Sequence, residues 1–280
     1  MTCAVMGMLA ETNLHPGAGQ VSGTVDLPVA REKTTDYPVV VGSSLKGALR
    51  DWAKQLGENG NKPDLDQIFG SPKQAGAVSV TDGRLLLLPV RSLNSHYKWV
   101  TCPYLIERYQ RDYELAGIKF EPLDLIDLKS FNNLKEAEAA AIGKGRLYLE
   151  DAHFDLVEAD IAPLAAALKP LIRHASIGER LKENLVVIND HEFSYFARYA
   201  LAVNARNELD NKKISRNLWY EETIPPDTLL YSLLMVRPGG EEFLNTLLGL
   251  LDQHPYLQIG GNETVGQGWS TISLLYGGDS

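Results

Sequence analysis

The chain has 280 residues, with 27 lysines and arginines against 36 aspartates and glutamates, a net charge of −9, and two cysteines. The length covers one large domain or two small ones, and the acidic balance speaks against a nonspecific nucleic-acid binder while leaving room for a local basic track. Cys3 and Cys102, with no CxxC or HxxxH pairing, argue against a disulfide scaffold or structural zinc site and fit a reducing cytoplasm.

The first dozen residues, "MTCAVMGMLAET", carry neither a basic n-region nor a cleavage site, so no secretory signal is expected. Residues 2–10 read as a strand. Residues 15–38 are rich in glycine and proline and read as a long ordered loop. A helix is expected over 43–56. "AGAVSVTDGRLLLLPV" (75–90) reads as a strand or a hairpin around Asp82-Gly83, and its apolar run is too short to cross a membrane. "TCPYLIERYQRDYELAG" is helical in pattern, and 118–150 is mixed. Two helices divided near Pro170 cover 160–185, and a short one covers 191–200. Residues 201–236 are β-rich, with a turn at Leu209–Lys212, so 201–221 reads as a protruding hairpin. A helix over 241–254 precedes a strand, a glycine-rich loop and a last strand. No fixed-period repeat is present. This order of elements points to an α+β fold rather than a doubly wound sheet.

"YPVVVGSSLKGALRDW" (37–52) is the most informative local stretch. Ser43 is the expected N-cap. Leu45, Leu49, Trp52 and Ala53 form one apolar face, and Lys46 and Arg50 lie together on another. A first-turn cation opposes the helix dipole, and a helical glycine costs roughly 1 kcal/mol. Both features make sense if an anion docks there: the helix start offers free N–H groups, Lys46 and Arg50 add charge, and Gly47 lets a backbone come close. The competing reading is a solvated basic face with a packing glycine.

The terminal "GGNETVGQGW" (260–269) could cradle phosphates, yet no Gly-Lys-Ser/Thr or βαβ unit accompanies it, so a tight turn explains it equally well. No nucleophile triad is convincing. The acid–base candidates are His15, Asp26, Glu32, Asp82 and the Glu221-Glu222 pair. Asp26, between Val25 and Leu27, needs a partner or a chemical task, with turn capping as the alternative.

Five stretches in order, "LHPGAGQVSGTVDLPVARE", "YPVVVGSSLKGALRDW", "IFGSP" with "AGAVSVTDGRLLLLPVRS", "WVTCPYLIER" and "GGNETVGQGW", make the chain resemble the RAMP superfamily of CRISPR effector proteins. Within it, the resemblance is to the repeated backbone subunit of type III-B (Cmr) complexes. It implies one domain over 1–280: a ferredoxin-like, RRM-like palm with insertions around 91–150 and 160–200, and the 201–221 hairpin as a thumb. It implies guide RNA, complementary target RNA, further copies in a filament and other Cmr subunits as partners, with no membrane. Guide contacts would fall on Ser44, Lys46, Gly47, Arg50, Gly261, Gly266 and Gly268, with Arg206 and Lys212 on the thumb. Target cleavage would depend on Asp26, with His15, Asp82 and Glu222 matching other activity-linked positions, and with a divalent metal, Mg²⁺, as cofactor. The chemistry would be in-line attack by a 2′-OH at a kinked phosphate. A non-catalytic guide-binding scaffold would share the glycines and cations but would not need Asp26. A small-molecule phosphate enzyme using the terminal loop would not explain the hairpin.

Overall fold

The computed structural model describes residues 3–19, 25–57 and 63–276. Its frame is a twelve-stranded mixed sheet. Cys3–Ala10 lies between Trp269–Leu275 and Leu229–Val236, antiparallel to both. Beyond Leu229–Val236 come Gly83–Arg91, Tyr97–Thr101, Leu185–Ile188 and then the strands of 138–157. Cys3–Ala10 is buried along its entire length. Its unbroken apolar run suits a strand covered on both faces, where alternation would leave polar groups in the core.

Helices supply the two covers. On one face Leu45 and Leu49 of helix Gly42–Gly57 and Leu244 and Leu247 of helix Glu241–Gln253 pack together. On the other, Ile106 and Tyr109 of helix Pro103–Ala116 pack with Leu168 and Leu171. The division of 160–185 near Pro170 is present, as helices Ala162–Leu168 and Ala175–Asn184 with a 3-10 turn between them.

Two local readings change. Val78–Val80 and Gly83–Arg91 do not pair with each other as a hairpin. Both run antiparallel to Leu229–Val236, one after the other. The Asp82-Gly83 dipeptide therefore marks a break along one edge. Its function is visible at the start of the first helix. The Gly42 N–H donates to Asp82 Oδ1 at 2.7 Å, and the Leu45 N–H donates to the Val41 carbonyl at 3.0 Å. Ser43 is exposed and is not the cap. A carboxylate from 40 residues downstream takes that place, and negative charge at a helix N-terminus is favourable.

Ala202–Leu209 and Ser215–Thr223 form a separate two-stranded sheet. Asp210 closes its tip by accepting the Lys212 and Ile214 N–H groups through Oδ1. Most of the hairpin is exposed, but Glu221, Glu222 and Thr223 at its root are buried. The root is where the long N-terminal loop returns to the body.

Candidate active site and nucleic-acid groove

The loop and the hairpin root meet on three consecutive residues, Tyr220, Glu221 and Glu222. Asp26 Oδ2 accepts the Tyr220 N–H at 2.8 Å. The Leu27 N–H donates to the Tyr220 carbonyl at 3.1 Å, and the Glu222 N–H donates to the Leu27 carbonyl at 3.0 Å. The returning loop thus adds a short parallel rung beside the hairpin. Asp26 is half-buried, and its Oδ1 has no partner among the described residues.

His15 approaches from the other end of the loop. Its Nδ1 lies 2.8 Å from the Glu222 carbonyl. A carbonyl only accepts, so Nδ1 carries the hydrogen, and Nε2 is the ring nitrogen left to exchange a proton. Nε2 has no hydrogen-bond partner among the described residues. The His15 carbonyl accepts the Gly261 N–H at 3.0 Å, which joins the loop to the terminal glycine-rich segment.

Neighbouring strand residues point to opposite faces, and this separates the two glutamates. Glu222 turns toward the loop, where Oε1 pairs with Arg31 Nη2 at 2.6 Å and Oε2 accepts the Val29 N–H at 3.0 Å. Both of its oxygens are thus engaged in holding the loop. Glu221 turns toward His15, 3.8 Å from its Nδ1, and binds Arg206 at 3.1 Å and the Asn262 side-chain amide. Glu221, rather than Glu222, therefore lies on the histidine's side. A second clamp joins Glu32 to Arg108 of helix Pro103–Ala116 at 2.6 Å. Neither Arg31 nor Arg108 is marked by a local pattern, because their partners lie far along the chain.

Asp82 belongs to a different place. It caps the first helix, and no hydrogen bond or ion pair among the described residues joins it to Asp26, His15 or the glutamates. The groove beside that helix encloses about 450 Å³ and is lined by Ser44, Gly47, Asp51, Gly260 and Gly261 among others. A Cβ on Gly47 would meet nothing within 4 Å. Gly47 is therefore not a packing glycine; it opens on the groove. Gly260 and Gly268 are required by the fold itself. Both have positive φ, at +83° and +94°, and a Cβ on either would fall 2.5 Å from a neighbouring atom, the His15 carbonyl oxygen or Gln258 Nε2. Gly266 is open, and Gly261 makes only ordinary contact with His15.

The predicted cations divide. Lys46 is half-buried, with no hydrogen-bond or ion-pair partner among the described residues. Arg50 is not free: its guanidinium donates to the Gly70 carbonyl and pairs with Asp66 Oδ1 at 2.6 Å. Arg206 is tied to Glu221 and stacks at 6.0 Å over Trp219. Lys212 is exposed at the hairpin tip.

The sequence model of the RAMP superfamily matches residues 8–271, nearly the entire chain. The chain belongs to the RAMP superfamily. Among its relatives is the CRISPR system Cmr endoribonuclease Cmr4 of Pyrococcus furiosus, 34% identical over 98% of this chain and 96% of that one. The crystal structure of oligomeric Cmr4 from Pyrococcus furiosus superposes with a TM-score of 0.76 at 31% identity, covering 98% of both chains. A chain of the type III-B Cmr-beta complex, solved with cognate target RNA, has the same fold with a TM-score of 0.78 at 20% identity, covering 98% of this chain and 97% of that one.

No group of three or more His, Cys, Asp or Glu side chains with metal-site geometry occurs among the described residues. Nor does any described helix have the length and apolarity to cross a membrane.

Proposed function

We propose that this chain is a guide-RNA-binding backbone subunit of a type III-B (Cmr) CRISPR effector, and that in the assembled complex it cleaves complementary target RNA at regular intervals. The observation that carries the reading is the junction at Tyr220–Glu222. There, Asp26 holds one carboxylate oxygen free at the root of an exposed hairpin, in a chain 34% identical along nearly its whole length to an endoribonuclease. In this reading the sheet and its helices are a ferredoxin-like palm, one domain over 1–280 with insertions around 91–150 and 160–200, and the hairpin is the thumb. Further copies stack along the guide, other Cmr subunits complete the particle, and the complex works in the cytoplasm. Ser44, Gly47 and the open glycines 261 and 266 face the guide backbone, and Lys46 stands on the adjoining flank of the same helix.

The cutting step is an in-line displacement. The target's 2′-oxygen attacks the adjacent phosphorus while the bond from phosphorus to the 5′-oxygen breaks. One group takes the 2′-OH proton and another gives a proton to the departing 5′-oxygen. Nε2 of His15 is the nitrogen left to move a proton, because Nδ1 is held by the Glu222 carbonyl. Glu221 keeps the imidazole in place from the same side. Asp26 positions the 2′-OH or holds a Mg²⁺ ion. Mg²⁺ is commonly bound by one or two carboxylates together with phosphate oxygens and water, so a single free carboxylate fits it. When bound, the ion would offset charge on the phosphate.

The test is direct. The purified chain, mixed with guide RNA and partner subunits, should cut labelled complementary RNA into a ladder of regular spacing. Guide binding with intact target would favour the scaffold reading.

A further inference from the structure

The first helix has a second flank. Opposite the groove of Ser44 and Gly47 lies a separate, open surface cavity of about 610 Å³, lined by Lys46, Arg50, Ser71, Ser79 and Arg237 among others. Its walls are rigid for identifiable reasons. Gly70 and Gly76 approach so closely that a Cβ on Gly76 would fall 2.4 Å from the Phe69 backbone. A Cβ on Gly42 would meet the Val80 carbonyl at 2.9 Å, which fixes the helix start against the strand Val78–Val80. Arg50 braces one side through the Gly70 carbonyl and Asp66. Arg237 follows the buried strand Leu229–Val236; its N–H donates to the Ala77 carbonyl and its carbonyl accepts the Gly240 N–H, both at 2.9 Å.

The charge in this cavity is unusual for the molecule. The chain is acidic overall, and most of its arginines stand in ion pairs: Arg31, Arg50, Arg84, Arg108 and Arg206 are examples. Lys46 and the Arg237 side chain have neither a carboxylate nor a carbonyl within reach among the described residues. The Ser71 and Ser79 hydroxyls add donors with no internal partner among those residues. Two unpaired cations and two hydroxyls on a fixed frame are complementary to a phosphodiester, which offers charge and several acceptor oxygens.

We infer that this cavity is a second phosphate site for single-stranded RNA, with Arg237 and Lys46 as its cations, so that the first helix is gripped by RNA backbone on both flanks. The inference rests on the guide-binding reading and adds a residue, Arg237, and a surface to it. Phosphate contacts of this kind position a strand without reading its sequence.

The experiment measures binding of a labelled single-stranded RNA to the full chain, alone and with the partner subunits, across a salt series. Arg237→Gln and Arg237→Ala should both keep the wild-type melting temperature, since the side chain is exposed and unpartnered among the described residues. Both should weaken RNA binding about tenfold and flatten the salt slope by about 0.7, the value of one phosphate contact on a single strand. Lys46→Ala combined with Arg237→Ala should cost less than the sum of the two, because both act on one site. Wild-type affinity and slope in the Arg237 variants, beside a normal cleavage ladder, would overturn this site and leave the guide-binding reading standing. Loss of self-association with unchanged RNA binding would also overturn it and assign the cavity to an acidic protein surface. Absence of RNA binding by the wild-type chain in either setting would overturn both readings.

Discussion

Arg31→Ala should release the loop that carries Asp26, and the cost can be worked from its contacts. The guanidinium pairs with Glu222 Oε1 at 2.6 Å and donates to the Asp36 and Ala197 carbonyls at 2.8 and 2.9 Å. The two side chains are 17% and 8% exposed, so the pair is largely removed from water. Deleting one member of a buried pair costs about 3–5 kcal/mol, chiefly because the remaining charge has no partner. The residual exposure of Arg31 puts the expectation at the lower end, about 3 kcal/mol. Glu222 would keep only the Val29 N–H. Glu222→Gln in the Arg31→Ala background removes that stranded charge and still accepts from Val29. The double variant should therefore be more stable than Arg31→Ala alone by at least about 1 kcal/mol, a non-additive result expected for partners in contact. Urea unfolding followed by tryptophan fluorescence gives the energies, and amide exchange at Leu27 and Val29 reports the loop itself. A loss below about 1 kcal/mol for Arg31→Ala, or a double variant less stable than the single, would refute the clamp.

Asp227→Asn should stabilise the protein at neutral pH. Burial raises the Asp227 carboxyl above its ordinary value, only partly countered by the Tyr97 hydroxyl; its backbone φ of +65° is one that asparagine tolerates. The folded state binds that proton more tightly than the unfolded state, so wild-type stability rises as pH falls from the raised value toward the ordinary one. The advantage of Asn should shrink over the same interval in thermal melts; a gain that persists into acid would contradict it. Burial pushes the Cys3 thiol up to about 11 and holds Cys102 well above the usual thiol range. Neither should react with a thiol-disulfide reagent at pH 8 until denaturant is added, and a fast native reaction would show that the core opens there. Shortening the hairpin tip at Leu209–Lys212 should leave the melting temperature within a few degrees, because the tip is exposed save for a half-buried Asp210, while blurring the cleavage ladder; a ladder unchanged in spacing and intensity would remove the hairpin from target engagement.

The elements that depend on local periodicity were legible in the sequence. The first helix, the hairpin and the terminal strand-loop-strand all follow from spacing and turn residues, and an exposed Gly47 follows from a helix carrying a glycine and a cation where both weaken it. What failed to read were pairings across distance. Ser43 has the chemistry of a cap, but the cap is Asp82, brought in by the sheet. Arg50 has the spacing of a phosphate ligand, and nothing in that spacing announces its pairing with Asp66. Glu221 and Glu222 are adjacent and alike, and strand alternation sends them to opposite faces. Only the position of the returning loop decides which one meets His15 and which one holds Arg31. Arg237 has no motif at all; its candidacy comes from the cavity that three separate segments enclose around it.

The central claim is that Asp26 supplies chemistry rather than a turn cap, although its Oδ2 also accepts the Tyr220 N–H. Asp26→Asn is nearly isosteric, and its amide oxygen can keep that hydrogen bond. The measurement is the single-turnover cleavage rate of labelled target RNA, with saturating complex and Mg²⁺, alongside target affinity. The account predicts normal assembly and target binding with a rate loss of at least about 100-fold, the scale of an acid–base group. Cleavage at the wild-type rate, or loss of target binding together with loss of cutting, would contradict it.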